Sequence, residues 1–348
     1  MSTTGLSPSP EFRTAQDVTR WCHDVVGAAL RAEVELMPAS VRRIAAYHFG
    51  WTDRHGAPDA GRPGKAVRPA LAVLAAKAVG GSPTAAVPAA VAVELVHNFS
   101  LLHDDVMDRD PVRRHRPTAW TVFGESSALL AGDALLALAP LALTRYPAPV
   151  GATAARWLAE AVLHLCEGQH ADLAFESRTD VALDECVRMA AGKTGALLGL
   201  SCALGALVGG ADPERSQRLG AFGHHLGLAY QLVDDLLAVW GDPAVTGKPV
   251  GADLVSRKKS LLAVAALTSG TPAAEELADL YFRERALDAD DVPRVTALIE
   301  RTGARDWARS RAARELADAA EHLAAADCDP GTAATLLELA GKVIRRDH

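Results

Sequence analysis

The chain is 348 residues long, which is enough for one large domain or about two of average size. Asp and Glu number 43 against 36 Lys and Arg, so the formal net charge is −7. This charge argues against a broad nucleic-acid-binding surface, which requires an excess of basic residues. Hydrophobic residues at 49% exclude a wholly disordered chain, and aromatic residues at only 5% favour closely packed helices over an aromatic-rich sheet.

The amino terminus has neither the basic nor the apolar stretch of a secretory signal, and residues 1–14 are rich in Ser, Thr and Pro. We predict a flexible tail over 1–14 and a single helical domain over 15–348. The five cysteines are scattered without a CxxC pair, which fits a reducing, cytoplasmic setting. The most apolar stretch, 128–143, is short and is interrupted by Gly132, Asp133 and Pro140, so we expect it to form no membrane span.

From residue 15 onward the chain shows the apolar periodicity of amphipathic helices, for example over 91–102 and 226–237. No segment has a convincing alternating strand pattern, and nothing marks a linker or a repeat. The predicted class is therefore all-α. Breaks between helices are expected at clusters of Gly, Pro and polar residues, which lie at 54–64, 80–83, 146–151, 209–213, 241–252 and 269–272.

The strongest motif is His103-Asp104-Asp105-Val-Met-Asp108, at the end of an apolar helical run. Asp104 and Asp108 are spaced i and i+4, so their carboxylates share one helix face. Like charges at this spacing destabilise a helix unless they are neutralised, and Mg²⁺ typically bridges a few carboxylates to substrate phosphates. The alternative is a solvated acidic helix end, which the apolar residues before the motif and the arginines after it disfavour.

A second acidic pair, Asp234-Asp235, follows another apolar run, with Gln231 one turn earlier on the face of Asp234. Alone, this pair could be an ordinary helix-end feature. We predict that each pair ends its helix and that the two pairs form facing carboxylate walls around metal ions. Neither pair has the spacing of a calcium-binding loop.

Cations accompany both motifs, and each alone could be a solvated surface residue. Together they could hold two diphosphates, one through Mg²⁺ and one directly. These cations are Lys65, Arg68, Arg113, Arg114, Lys193, Lys248 and Lys258.

Over residues 64–261 the sequence resembles the trans-isoprenyl diphosphate synthases of the polyprenyl synthetase family, which includes farnesyl and geranylgeranyl diphosphate synthases. The resemblance is carried by the motifs above together with Gly64, His97, Gly168-Gln169, Thr194, Gly247-Lys248-Pro249 and Asp253-Leu254. It implies one large bundle of mostly antiparallel helices around a central active-site cavity. It also implies about three Mg²⁺ ions and a homodimer.

The resemblance further implies head-to-tail condensation of isopentenyl diphosphate with an allylic diphosphate. Asp104 and Asp108 would bind two Mg²⁺ ions on the allylic diphosphate, supported by Asp105, and Asp234 would bind a third. The allylic diphosphate would be gripped directly by Arg113, Lys193 and Lys258. The diphosphate of isopentenyl diphosphate would be bound by Lys65, Arg68, His97 and Arg114. Thr194 and Gln231 would steady the allylic cation, and Lys248 would lie on a closing loop.

The sequence departs from the family pattern at three positions. Ala238 replaces the last aspartate of the second motif, which we expect to reduce Mg²⁺ affinity without abolishing activity. His115 replaces the usual glycine after the paired arginines, and Ser260 replaces a usual threonine.

Product length depends on the residues before the first motif. Phe99, five residues before Asp104, lies roughly 7.5 Å along the helix axis from it, and Ser100 leaves space beneath the metal site. In this family such a pattern resembles geranylgeranyl (C20) diphosphate synthases. The alternatives are a farnesyl or geranyl diphosphate synthase, a class I terpene cyclase on the same fold, a non-catalytic partner subunit, and a Phe99 that merely packs in the core.

Overall fold

The computed structural model describes residues 10–59, 64–242 and 251–344. The predicted all-α class is confirmed. The helices up to residue 143 are α1 (Ala15–Trp21), α2 (Gly27–Val34), α3 (Ala39–His48), α4 (Val67–Ala78), α5 (Val87–Met107), α6 (Ala119–Phe123) and α7 (Glu125–Leu143). Those that follow are α8 (Val150–Glu176), α9 (Leu183–Ala190), α10 (Ala196–Val208), α11 (Pro213–Trp240), α12 (Ala252–Val255), α13 (Leu261–Leu267), α14 (Pro272–Phe282), α15 (Val292–Arg301), α16 (Ala304–Ala325) and α17 (Pro330–Ile344).

Short irregular elements complete the described part of the chain. Two π-helical segments, Cys22–Val26 and Ala191–Gly195, and a 3₁₀ turn at Pro83–Ala86 interrupt or precede α-helices. Strands β1 (Val112–Arg113) and β2 (Arg116–Pro117) form an antiparallel hairpin. Of the predicted tail, residues 1–9 lie outside the described residues, so the tail stays a prediction.

The chain divides into two compact units. Unit 1 has the bounds Met1–Ala159, Leu200–Gly220 and Leu323–Ala340, and unit 2 has the bounds Glu160–Gly199, Ala221–His322 and Gly341–His348.

The core of unit 1 is built around α5, whose apolar positions are buried along most of its length. Leu95 and Leu102 on α5 are fully buried, as is Leu135 on α7. Small residues allow close helix approach, because a Cβ atom placed on Gly209 would lie 2.8 Å from the Cα of Ala76. Because its apolar face is buried, α5 has a fixed orientation in unit 1, and this sets the positions of the aspartates at its C-terminal end.

The core of unit 2 is a second apolar cluster, in which the short helix α13 is buried along almost its whole length. Tyr281 and Leu277 of α14 pack into the same cluster with essentially no exposed surface. Ser260 begins α13 as its N-cap, with its hydroxyl accepting from the Ala263 amide at 3.3 Å. Ser and Thr are both good N-caps, which explains why serine suffices where the family usually has threonine.

The Gly, Asp and Pro residues that interrupt the apolar stretch 128–143 do not interrupt the helix, because α7 runs over Glu125–Leu143 with Pro140 inside it. Burial of the apolar face of this helix outweighs the local cost of its proline. By length and composition alone, three helical stretches could cross a membrane: Pro83–Met107, Glu125–Leu143 and Leu183–Val208. The absence of a membrane span therefore stays a prediction.

Candidate functional site

The first aspartate motif lies where α5 ends in unit 1. Asp108 is the C-cap residue, and its amide donates to the carbonyl of Asp104 at 2.8 Å, so the predicted i, i+4 relation holds. Asp108 is exposed and Asp104 is half-buried. Hard oxygen ligands on one accessible face fit a magnesium ion, so the donor set is suited to the metal that the motif predicts.

Asp105 differs from its neighbours because its side chain is only 2% exposed. Its Oδ1 accepts from the Arg113 Nε at 2.6 Å. Burial raises the pKa of Asp105 to about 6, although the Arg113 guanidinium acts in the opposite direction. The middle carboxylate of the motif is therefore held by the protein.

The hairpin after α5 carries the paired arginines. Its two turn residues, Arg114 and His115, have φ of 52° and 63°. Two positive φ angles are typical of a type I′ turn, where glycine is the least strained residue. This accounts for the glycine usual in the family and means that His115 occupies a strained position. Arg116 anchors the hairpin by donating to the carbonyls of Tyr47 at 3.3 Å and Thr52 at 3.1 Å.

Unit 1 also contains the residues predicted to bind the diphosphate of isopentenyl diphosphate, and several of them lie close to this hairpin. A Cβ atom placed on Gly64 would lie 3.4 Å from a terminal nitrogen of Arg114, so the Gly64-Lys65 loop lies against that guanidinium. Burial lowers the pKa of Arg68 to about 10, while the Glu94 carboxylate opposes the shift. Burial, reinforced by Arg68 and Arg114, lowers the pKa of His97 well below its usual value. A neutral His97 among guanidinium groups forms a site for an anion.

A residue that the sequence did not indicate, His48 at the end of α3, belongs to the same cluster. Burial, reinforced by Arg113 and Arg114, lowers the pKa of His48 to about 3. It lines a cleft in unit 1. The carboxylate and guanidinium groups that share this lining belong to Asp105, Arg113, Arg114 and Arg116. No motif surrounds His48, so only tertiary contact reveals it.

In unit 2, two of the predicted diphosphate-binding lysines meet on one carboxylate that the prediction omitted. Lys193 Nζ lies 2.6 Å and Lys258 Nζ lies 3.3 Å from Oδ2 of Asp172. Burial alone would raise the pKa of Asp172, but the two ammonium groups outweigh it and lower the pKa below its usual value. Asp172 lies three residues after Gln169 of the Gly168-Gln169 motif, and this closeness to a family motif could have marked it as a site residue.

Lys193 lies in the π-helical segment Ala191–Gly195. Backbone crowding shapes this segment, because a Cβ atom on Gly168 would lie 2.5 Å from the Lys193 amide nitrogen. A Cβ atom on Gly192 would lie 2.6 Å from the carbonyl oxygen of His164. Only glycine allows this approach, and π-helical turns frequently occur at functional sites.

Thr194 and Gln231 contact each other, with the Thr194 hydroxyl 2.9 Å from Gln231 Oε1. Gln231 Nε2 in turn donates to Asp235 Oδ1 at 2.8 Å. Burial raises the pKa of Asp235 to about 7, with the Gln231 bond opposing it. Asp235 therefore belongs to a buried network, whereas Asp234 is half-buried.

The prediction that the second pair ends its helix was wrong, because α11 continues to Trp240. The residues after the pair remain apolar and pack in unit 2, so the helix has no reason to stop. Ala238 lies in this last stretch, and its carbonyl accepts from the Gly251 amide at 3.0 Å. Lys248 and its neighbours Gly247 and Pro249 lie outside the described residues.

The two residues assigned to product length both lie on α5. Phe99 is 6% exposed and contacts His103 edge to face, with ring centroids 4.7 Å apart. A Cβ atom on Gly132 of α7 would lie 3.5 Å from the Phe99 ring. The Ser100 hydroxyl donates to the carbonyl of His97 at 2.9 Å.

Comparison with known proteins identifies relatives along almost the whole chain. The family model described as polyprenyl synthetase matches residues 59–299. The (2E,6E)-farnesyl diphosphate synthase of Mycobacterium tuberculosis is 45% identical over 98% of this chain and 97% of its own length. The geranylgeranyl diphosphate synthase of that bacterium is 50% identical over 80% of this chain and 79% of its own length. The crystal structure of a polyprenyl synthetase from Streptomyces coelicolor A3(2) superposes with a TM-score of 0.91 at 43% identity, covering 95% of this chain and 99% of that one.

Proposed function

We propose the following roles on the premise that this chain belongs to the polyprenyl synthetase family and is a prenyltransferase that makes a short-chain prenyl diphosphate. It condenses isopentenyl diphosphate head-to-tail with an allylic diphosphate. The observation that carries the assignment is the presence of two separate sets of diphosphate-type ligands. Unit 1 provides the cluster around Arg68 and His97, and unit 2 provides the lysine pair on Asp172.

The cluster in unit 1 suits the diphosphate of isopentenyl diphosphate. Arg68 and Arg114 would supply charge-assisted hydrogen bonds, and neutral His97 would supply a ring N–H without adding another buried charge. Lys65 is exposed beside them on the loop before α4. The positive charge required for this substrate is thus in place before it binds, which is electrostatic preorganisation.

The allylic diphosphate would be bound by Lys193 and Lys258 in unit 2 and by Arg113, with Lys248 as a further ligand. Asp172 holds the two ammonium groups in position, so they need not be ordered at the moment of reaction. Asp104 and Asp108 would hold magnesium, and so would Asp234. We propose about three ions. Magnesium, when bound, supplies positive charge against the charge that grows on the departing diphosphate.

Loss of the diphosphate leaves a delocalised allylic cation, which the isopentenyl double bond then attacks. The Thr194–Gln231 pair would place oxygen dipoles at the reacting end. The attack forms the new carbon–carbon bond and leaves a tertiary cation on the isopentenyl unit. Loss of a proton from the carbon next to that cation, with the released pyrophosphate as its acceptor, forms the double bond of the product. Water has to be excluded, since it would otherwise capture the cation as an alcohol.

For the product we propose geranylgeranyl diphosphate (C20). Phe99 on α5, with the small Ser100 beside it, supports a floor at intermediate depth. The named relatives include both farnesyl and geranylgeranyl diphosphate synthases, so farnesyl diphosphate is the second candidate. We further propose a cytoplasmic homodimer.

The test is incubation of the protein with Mg²⁺, isopentenyl diphosphate and each allylic starter (C5, C10 or C15) in turn, followed by sizing of the products. We expect chain extension in the presence of isopentenyl diphosphate, ending at C20. The matched control is the Asp104→Ala/Asp108→Ala double variant, which should leave all substrates unconsumed. Conversion of the allylic substrate to a hydrocarbon or alcohol, without use of isopentenyl diphosphate, would identify a terpene cyclase instead.

A further inference from the structure

A cluster of potential metal ligands lies in unit 2 among residues that have no role in the proposed reaction. His225 of α11 and Glu315 and Asp318 of α16 each offer one ligand atom, and these atoms all lie within 4.8 Å of one another. Glu315 and Asp318 are three residues apart and therefore share one face of α16. His322, one turn beyond Asp318, stacks on His225 with ring centroids 5.2 Å apart.

The cluster is organised around a buried carboxylate. Glu315 is 3% exposed, and its Oε2 lies 2.7 Å from Nδ1 of His225. Its other oxygen, Oε1, accepts from the Arg311 Nε at 2.7 Å. Arg311 therefore orients the carboxylate and leaves Oε2 directed at the imidazole. Outer-shell partners of this kind commonly orient the ligands of metal sites.

The spacing of these atoms suits a metal ion in place of the hydrogen bond. A tetrahedral Zn²⁺ about 2.0 Å from its nitrogen and oxygen ligands separates them by roughly 3.3 Å. His225 Nδ1 and Glu315 Oε2, 2.7 Å apart, would need to open by only a fraction of an ångström. Asp318 is exposed, so its carboxylate can adjust to complete the site.

The charges and ligand types also favour a transition metal. Two carboxylates neutralise a divalent ion, and neutral imidazole is a ligand that zinc, nickel and cobalt prefer and magnesium does not. We propose that His225, Glu315 and Asp318 bind a divalent transition-metal ion of the Zn²⁺ type. This site would tie α11 to α16 and would be chemically distinct from the all-oxygen aspartate sites.

The test is a Zn²⁺-binding titration of the full-length protein by competition with a chromogenic chelator, in excess Mg²⁺ to occupy the aspartate motifs. Every variant carries Cys166→Ser, because the exposed Cys166 thiol is a competing zinc ligand. The site variants are Asp318→Asn and His225→Gln. The matched control is Asp306→Asn, which removes an exposed carboxylate elsewhere on α16.

We expect the parent and Asp306→Asn proteins to bind Zn²⁺ at one site, and the two site variants to bind it at least about tenfold more weakly. Co²⁺ added to the parent should give the visible absorption of a tetrahedral complex, which Asp318→Asn should lack. Thermal unfolding without metal verifies that Asp318→Asn is folded, as its exposed position predicts. Equal Zn²⁺ affinity in parent and site variants, or no Zn²⁺ binding by the parent in excess Mg²⁺, would overturn the proposal.

Discussion

Arg113 donates from Nε to Oδ1 of Asp105 over 2.6 Å, and this bond ties the strand β1 to the end of α5. The carboxylate is 2% exposed, and the guanidinium is 28% exposed. A buried charge held by one well-aligned partner is costly to unpair. The Arg113–Asp105 bond therefore fixes the hairpin that carries Arg114 against the aspartate motif at the end of α5.

Replacing Asp105 with Ala should destabilise unit 1 by about 1.5–3 kcal/mol, since it removes the buried acceptor of the charge-assisted hydrogen bond from Arg113. It should also lower turnover, because Arg113 and Arg114 lose their support. Urea unfolding and steady-state kinetics measure the two effects. As a control, Arg109→Gln breaks an exposed ion pair with Glu125 and should change stability by less than about 0.5 kcal/mol. Equal effects of the two substitutions would show that the buried bond has no special role.

Asp104→Ala should lower turnover at least about 100-fold with the fold intact, because it removes a carboxylate that holds Mg²⁺ against the leaving diphosphate. Circular dichroism monitors the fold, and product formation from isopentenyl diphosphate measures the activity. The exposed Asp24 provides a control, since Asp24→Asn should retain full activity. Near-normal activity of the Asp104 variant, or wild-type activity undiminished by EDTA, would rule out the metal-assisted mechanism.

The two sets of diphosphate ligands should be separable by kinetics. Arg68→Ala and Arg114→Ala should each raise the KM for isopentenyl diphosphate at least about tenfold, because each removes a charged hydrogen-bond donor. Lys193→Ala should act chiefly on the allylic substrate. KM mixes binding with chemistry, so direct binding of each diphosphate should be measured alongside it. An unchanged KM for isopentenyl diphosphate in Arg68→Ala would favour a one-substrate cyclase.

Acid should destabilise the protein in part through His48. The folded chain keeps the pKa of His48 at about 3, whereas the unfolded imidazole has a pKa near 6.5. Between these values the unfolded state binds more protons, so the free energy of unfolding falls as the pH drops below about 6.5. His48→Gln should lose less stability than wild type between pH 7 and pH 5 in urea unfolding. The exposed His55 is the matched control, and His55→Gln should follow the wild-type curve.

The length of the product tests whether Phe99 on α5 forms the floor of the pocket. Phe99→Ala should deepen the pocket and shift products toward longer chains, and Ser100→Phe should shorten them. Product sizing after extension of one allylic starter measures both. Since Phe99 is buried against His103, thermal unfolding should accompany the assay to separate repacking from a change in depth. An unchanged distribution in both variants would place the floor elsewhere and remove the basis for a C20 product.

Local sequence patterns predicted much of this protein. Apolar periodicity predicted the all-α class, and the i, i+4 spacing of Asp104 and Asp108 predicted a shared face at the end of α5, because helix geometry is set within a few residues. The same logic failed where packing overrides propensity. The second aspartate pair does not end its helix, because the residues that follow it remain apolar and pack in unit 2, so α11 continues past Asp235 to Trp240.

Tertiary structure decided which charges are bound by the protein and which remain available to ligands. Asp105 and Asp235 are each the second aspartate of an adjacent pair, so the sequence does not distinguish them from the first. In the fold both are buried, which gives them protein partners and raises their pKa values. His48 and Asp172 belong to the candidate sites because they contact residues more than twenty positions away in the sequence. No local sequence pattern predicts such contacts. The burial and ion pairing of a side chain depend on the whole fold, whereas the identity and spacing of the ligands are determined by the sequence of a single helix.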